Sequence, residues 1–114
     1  MRSWLEAGVA AFSWMPGCVA ALTGTELQAR CSAKEGTVQD LACMSYLVGH
    51  AEGMAAGFAA SAARATYCPP AGLTPRQIQQ IVLKHLREVP EDLHHGASDH
   101  VGAALLVAYP CKRN

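Results

Sequence analysis

The sequence predicts an all-α fold, a small four-helix, bundle-like domain, and three observations carry that reading. The chain has 114 residues, 51% of them apolar, but only 6% are aromatic, and alanine, leucine and valine supply most of the apolar share. Small residues of that kind suit closely packed helices better than a sheet, whose strands favour β-branched and aromatic side chains. Apolar residues recur at helical spacing and nowhere alternate as in a strand. Threonines stand directly before two of the apolar-periodic segments, where helix N-caps belong. The length fits one domain. The apolar content excludes intrinsic disorder. Nine basic residues balance nine acidic ones, which argues against nucleic-acid or membrane-surface partners, since both require excess positive charge.

The first stretch, residues 1–21, reads as a secretory signal segment ahead of a domain spanning residues 22–114. Arg2 supplies the positive charge, Ala7 to Met15 the apolar run, Pro16-Gly17 the break, and Val19-Ala20-Ala21 the small residues before cleavage at Ala20 or Ala21. Met15-Pro16-Gly17-Cys18 loosely resembles a lipoprotein box, which would place cleavage at Cys18. The run is too short for a membrane span, which needs roughly 20 apolar residues. The competing reading is an amphipathic first helix that stays on the protein, and it leaves five cysteines, an odd number. Removing the leader takes away Cys18 and leaves Cys31, Cys43, Cys68 and Cys111.

The first and third helices carry explicit cap signals. Thr23-Gly24-Thr25-Glu26 has the spacing of a capping box, predicting a helix from about Gly24 to Arg30, then a polar loop over Ser32 to Thr37. A long helix follows from about Val38 to Ala63, with an apolar face through Leu41, Leu47, Met54 and Phe58. Gly49, Gly53 and Gly57 lie in register on one side. Each costs about 1 kcal/mol in a helix, so the row predicts close approach of another helix, with a bend as the alternative. Tyr67-Cys68-Pro69-Pro70 is a connection no helix crosses. Thr74, Pro75 and Gln77 start the third helix, whose stripe is Ile78, Ile81, Val82, His85 and Leu86. Pro90 ends it and opens the last, with stripe Leu93, Ala97, Val101, Ala104, Leu105 and Ala108.

Candidate chemistry is sparse. The even set of four cysteines suits disulfides, and four allow three pairings among which the sequence does not choose. Two bridges, at about 2–4 kcal/mol each, matter to a domain with a limited core. Zinc is the competing use, but no Cys-x-x-Cys pair is present. His94, His95, Asp99 and His100 cluster, and His95 and Asp99 at i, i+4 would share a helical face, a frame for a metal or acid–base pair. Polar residues are commonplace at a helix start, no His-Glu-x-x-His frame is present, and no third ligand is obvious, so no metal or cofactor is expected. His50 and His85 read as packed, hydrogen-bonded residues. No nucleophile elbow or phosphate loop occurs, and Glu52 is the one acid expected to be buried, without a partner. The chain does not read as an enzyme.

The ordered set Leu27, Cys31, Cys43-x-x-Tyr46-x-x-Gly49, Gly53, Tyr67-Cys68-x-Pro70, Leu73-Thr74, Val89-Pro90-Glu91, Ala104-Leu105 and Ala108-Tyr109-Pro110-Cys111 resembles the Rap/Tai family of type VI secretion immunity proteins of Gram-negative bacteria. The resemblance runs from about Leu22 to Cys111. It implies an exported, periplasmic helical protein with bridges Cys31–Cys43 and Cys68–Cys111, often a homodimer, that binds and blocks an amidase effector cutting peptidoglycan. His100 stands where the family pattern has an aliphatic side chain, Glu52 where aspartate is commoner and Tyr109 where phenylalanine is. An inhibitor of that kind presents a rigid element to a concave active site, because flexibility lost on binding subtracts from affinity. The turn around Pro90, with Arg87, Glu88, Glu91 and Asp92, fits that need and is the expected partner-binding element. An alternative from another class is an exported envelope protein, a metal-binding or stress module built on the His94–His100 cluster.

Overall fold

The computed structural model describes residues 21–61 and 66–112. Over these the chain forms four α-helices: α1 (Gly24–Cys31), α2 (Val38–Ala60), α3 (Pro75–Glu88) and α4 (Ala97–Ala108), with a short 3-10 turn at Pro90–Asp92. The expectation of a signal segment over residues 1–21, with Cys18 in it, falls almost wholly on residues outside those described.

The caps form as their spacing requires. Thr23 Oγ1 accepts the Glu26 N–H at 3.2 Å while Glu26 Oε1 accepts from the Thr23 N–H. Thr74 and Gln77 repeat the exchange at 3.1 and 2.9 Å, with Pro75 in the first turn where its missing N–H leaves nothing unmade. Thr37 caps α2 by accepting from the Asp40 N–H at 3.2 Å. Such caps contribute about 1 kcal/mol each.

The four helices all touch one another around a core of Leu27, Leu47, Val82, Leu86, Val101 and Leu105, every one under 2% exposed. Truncating any of these leucines to alanine costs about 2–5 kcal/mol, the spread reflecting how far the site collapses. The inward face of α2 is not the expected one at its start. Leu41 is 54% exposed, and Asp40, Cys43, Leu47 and Ala51 point inward instead, followed by half-buried Met54 and Phe58. The phase shifts because a carboxylate, rather than a leucine, takes the first inward position. The glycine row also has a different outcome from the one expected. A Cβ added to Gly49, Gly53 or Gly57 would meet nothing within 4 Å, so among the described residues no helix packs on them. α2 ends at Ala60, with Ser61 in extended backbone as its C-cap.

The last helix starts at Ala97, several residues later than its apolar stripe suggests. The reason is a competition for backbone groups. In a longer helix the Leu93 carbonyl would accept from Ala97, but the Ala97 N–H donates instead to the Leu22 carbonyl at 2.7 Å. The Leu93 and His95 carbonyls accept from the Thr25 and Gly24 N–H groups at 3.0 and 2.9 Å. Those two amides belong to the first turn of α1, where no intrahelical acceptor exists. Segment 93–97 therefore caps α1 and forgoes its own helical turn.

Both disulfides form in the pairing the resemblance implied. Cys31–Cys43 joins the end of α1 to the second turn of α2, with Cα atoms 5.2 Å apart. Cys68–Cys111 joins the connection after α2 to the segment after α4, at 4.9 Å. The second bridge is flanked by backbone pairing, with the Cys68 N–H donating to the Tyr109 carbonyl at 2.9 Å.

Candidate functional site

α3 stops at Glu88 because Val89 leaves helical geometry (φ −127°, ψ 53°) and Pro90 follows. Proline disfavours helical backbone in the residue before it. The chain then makes one tight turn, with the Asp92 N–H donating to the Val89 carbonyl and the His95 N–H to the Asp92 carbonyl, both at 3.0 Å. The five expected partner-binding residues flank Val89, with Arg87 and Glu88 ending α3 and Pro90, Glu91 and Asp92 forming the turn. Arg87, Glu88, Pro90 and Glu91 are exposed, while Asp92 is half-buried. The Asp92 carboxylate lies 3.8 Å from His95 Nε2 at the surface.

The turn is anchored on three sides. α1 grips it through Gly24 and Thr25, the latter also donating its hydroxyl to the Leu93 carbonyl at 3.4 Å. The core holds Leu93, which packs half-buried against it. α4 holds it through His100, whose Nε2 lies 2.8 Å from the Asp92 carbonyl oxygen. His85 of α3 completes the set, its Nε2 being 3.3 Å from His100 Nδ1. Burial, and next the neighbouring His100, push the His85 imidazole below the ordinary histidine value, against the opposing pull of Glu88 and Asp92. The neutral form is favoured.

The histidine cluster expected from the sequence is divided by the fold. His95 precedes α4, so it does not share a helical face with Asp99. The His94 and His95 rings lie 4.2 Å apart and exposed, whereas His100 is 5% exposed and turned inward. Among the described residues no group of three or more histidine, cysteine, aspartate or glutamate side chains is placed to hold a metal ion. The metal reading of His94–His100 thus finds no supporting geometry. His50 sits at the rim, its Nε2 3.0 Å from Ser98 Oγ.

The buried acid is Asp40, not Glu52, which is exposed. Arg76 holds both Asp40 carboxylate oxygens, at 2.8 and 3.0 Å, the forked geometry that guanidinium and carboxylate share. Gln79 donates to Asp40 Oδ1 at 3.0 Å and to the Cys31 carbonyl at 3.3 Å, and the Gly36 N–H donates to Oδ2 at 2.9 Å. The Arg76 hydrogen bonds, then those of Gln79 and Gly36, hold the Asp40 carboxyl well below the usual carboxylate range despite burial. Every acceptor position of the buried charge is engaged, so the network fixes α1, α2 and α3 beside the first disulfide. The sequence carried one overlooked signal: Thr37-x-x-Asp40 is itself a capping pattern, which would have placed Asp40 in a first turn.

A second surface lies on the outer side of α2. Val38 is 82% exposed and Leu41 54%, and Leu41, Met44, Val48 and Pro75 line an open groove of about 420 Å³. No match was found among curated proteins. Residues 23–111, from the Thr23 cap to the second cysteine of the outer bridge, match the family model for Rap1a immunity proteins. The match covers all four helices, both disulfides and the anchored turn, and on it this chain belongs to the Rap1a immunity protein family.

Proposed function

We propose that the protein is an exported, periplasmic immunity protein that binds a type VI secretion effector, a peptidoglycan amidase, and blocks it with the Arg87–Leu93 turn. The observation that supports this most is the anchoring of that turn from α1, the core and α4 before any partner arrives. A preformed element loses little conformational freedom on docking, so more of its contact energy appears as affinity. Its exposed groups suit a polar cleft: Glu88 and Glu91 accept hydrogen bonds, Arg87 donates them, and Pro90 stiffens the tip. Filling the cleft is sufficient for inhibition, and the chain contributes no chemistry. Two disulfides agree with an oxidising compartment such as the periplasm.

The test replaces Glu88, Glu91 and Asp92 together by alanine and measures inhibition of a cognate amidase. A minority of interface residues carry the binding energy, at about 2 kcal/mol or more each on truncation. With one such residue among the three, inhibition should weaken by at least roughly 30-fold. Unchanged inhibition, with the helical circular dichroism intact, would move the interface to the exposed side of α2 around Val38, Leu41 and Met44.

A further inference from the structure

We propose that His100 is the positioning residue of the Arg87–Leu93 turn, holding the Asp92 carbonyl through its Nε2 hydrogen while His85 donates to the other nitrogen of the ring. The assignment follows from donor and acceptor chemistry. A backbone carbonyl only accepts, so the contact at 2.8 Å requires the hydrogen on His100 Nε2. A neutral imidazole carries one hydrogen, which leaves His100 Nδ1 as an acceptor. The atom 3.3 Å from it, His85 Nε2, must then donate. The result is a directed chain of donors, His85 to His100 to Asp92, whose tautomers are set from the carbonyl end.

Packing explains why a ring is held there at all. His100 is 5% exposed, on the second turn of α4. Its ring lies against Gly24, where a side-chain Cβ would stand 2.7 Å from His100 Cδ2, 2.8 Å from Nε2 and 2.9 Å from the Leu93 carbonyl oxygen. The absence of a side chain on α1 is therefore what lets the imidazole reach the turn. The titratable and charged groups around the pair are Asp92 and His95 on the connector, Asp99 on α4 and Glu88 on α3. α1 presents only the uncharged Gly24 there. An aliphatic side chain at position 100 could fill the same space but could not hold a carbonyl. The consequence for binding rests on the reading of this turn as the contact surface, while the latch itself can be examined without any partner.

The experiment is amide hydrogen exchange at neutral pH on the full domain, comparing the wild type with His100→Leu, His100→Gln and His85→Leu. Glutamine can offer the same donor and acceptor pair, whereas leucine offers only volume. In His100→Leu the Asp92 and His95 amides should exchange roughly tenfold faster, the effect of one lost hydrogen bond, while the Leu47 and Leu105 amides stay protected. His100→Gln should return the turn to within about twofold of wild type on the same hydrogen-bond argument. His85→Leu removes the donor to Nδ1 but leaves the Asp92 carbonyl, so the His100 hydrogen should stay on Nε2 in nitrogen-detected NMR of the imidazoles. Transfer of that hydrogen to Nδ1 would overturn the proposal. Equal protection in His100→Leu and wild type would overturn the proposal, as would loss of protection in His100→Gln equal to that in His100→Leu. A wild-type His100 carrying its hydrogen on Nδ1 would overturn it without any variant. If the turn-alanine substitutions leave amidase inhibition unchanged, the contact reading fails alone, and exchange and tautomer still judge the latch.

Discussion

Removing the disulfides is the most quantitative perturbation this fold offers. The two loops do not overlap: Cys31–Cys43 closes a separation of 12 residues and Cys68–Cys111 one of 43. Chain entropy alone assigns about 3 kcal/mol to the first and about 4 kcal/mol to the second. Separate loops restrict the unfolded chain independently, so the contributions add to about 7 kcal/mol. A domain of this size is stable by about 5–15 kcal/mol in all, so full reduction should leave it marginal or unfolded. Loop length and burial then rank the bridges oppositely. Cys31 and Cys43 are each 3% exposed and pack in the core, whereas Cys68 is exposed. Replacing the inner pair by alanine also leaves a void, and Gln79 loses Cys43 Sγ, 3.5 Å away. The Cys31→Ala/Cys43→Ala pair should therefore cost at least as much as Cys68→Ala/Cys111→Ala, despite its shorter loop. Urea denaturation of each double variant, with m-values compared, gives both numbers. A cost below about 1 kcal/mol for the outer pair would refute the entropy argument, and an inner pair cheaper than the outer would refute the burial argument.

Other perturbations separate packing from charge. Asp40→Asn leaves the Arg76 guanidinium only the exposed Glu35, 3.6 Å away. It also sets a buried amide NH2 against groups that all donate, Arg76, Gln79 and the Gly36 N–H. Breaking such buried pairs is strongly destabilising. Thermal unfolding should fall by more than about 10 °C, and a shift of a degree or two would show the network to be dispensable. Because the Asp40 value is lowered in the folded state, its contribution is complete above the unfolded value of 3.8 and fades as pH falls below it. Acid titration of wild-type stability should show that loss, and Asp40→Asn should flatten it. For Gly24→Ala, helix propensity predicts a gain of up to about 1 kcal/mol. The added Cβ would crowd His100 and the Leu93 carbonyl at under 3 Å, and overpacking costs about 1–3 kcal/mol. Net destabilisation in urea is expected, and a stabilised variant would contradict the close packing of α1 on the turn.

The helices and their caps were legible because their determinants are local. Thr23 with Glu26, and Thr74 with Pro75 and Gln77, act within one turn, and the structure realises both boxes. The inward face of α2 was misread at its start because Leu41 fits an apolar period better than Asp40 does. Asp40 is buried on account of Arg76, 36 residues away, and no window on the local sequence contains that partner. The start of α4 failed for the same reason. Leu93 to Gly96 have a helix-compatible pattern, but α1 claims their carbonyls from the other end of the domain. Gly49, Gly53 and Gly57 were overread, since small residues in register permit close approach without supplying the neighbour.

That contrast bears on what specifies the candidate site. Composition alone marks Arg87 to Asp92 as a polar turn, and polar turns are common on surfaces. What distinguishes this one is that its shape is set by residues outside it. Gly24 and Thr25 hold the carbonyls of His95 and Leu93, and His100 holds that of Asp92. All three contacts reach main-chain oxygen atoms, leaving the side chains of Arg87, Glu88 and Glu91 free to vary with the partner. In the proposed contact reading, rigidity and specificity are carried by different atoms of the same turn. On that proposal a change of partner requires substitutions only at exposed positions, with the anchoring set Gly24, His85 and His100 kept. The Asp40–Arg76–Gln79 network and the buried disulfide, which lie away from this turn among α1, α2 and α3, stabilise the frame without constraining the exposed side chains of the turn.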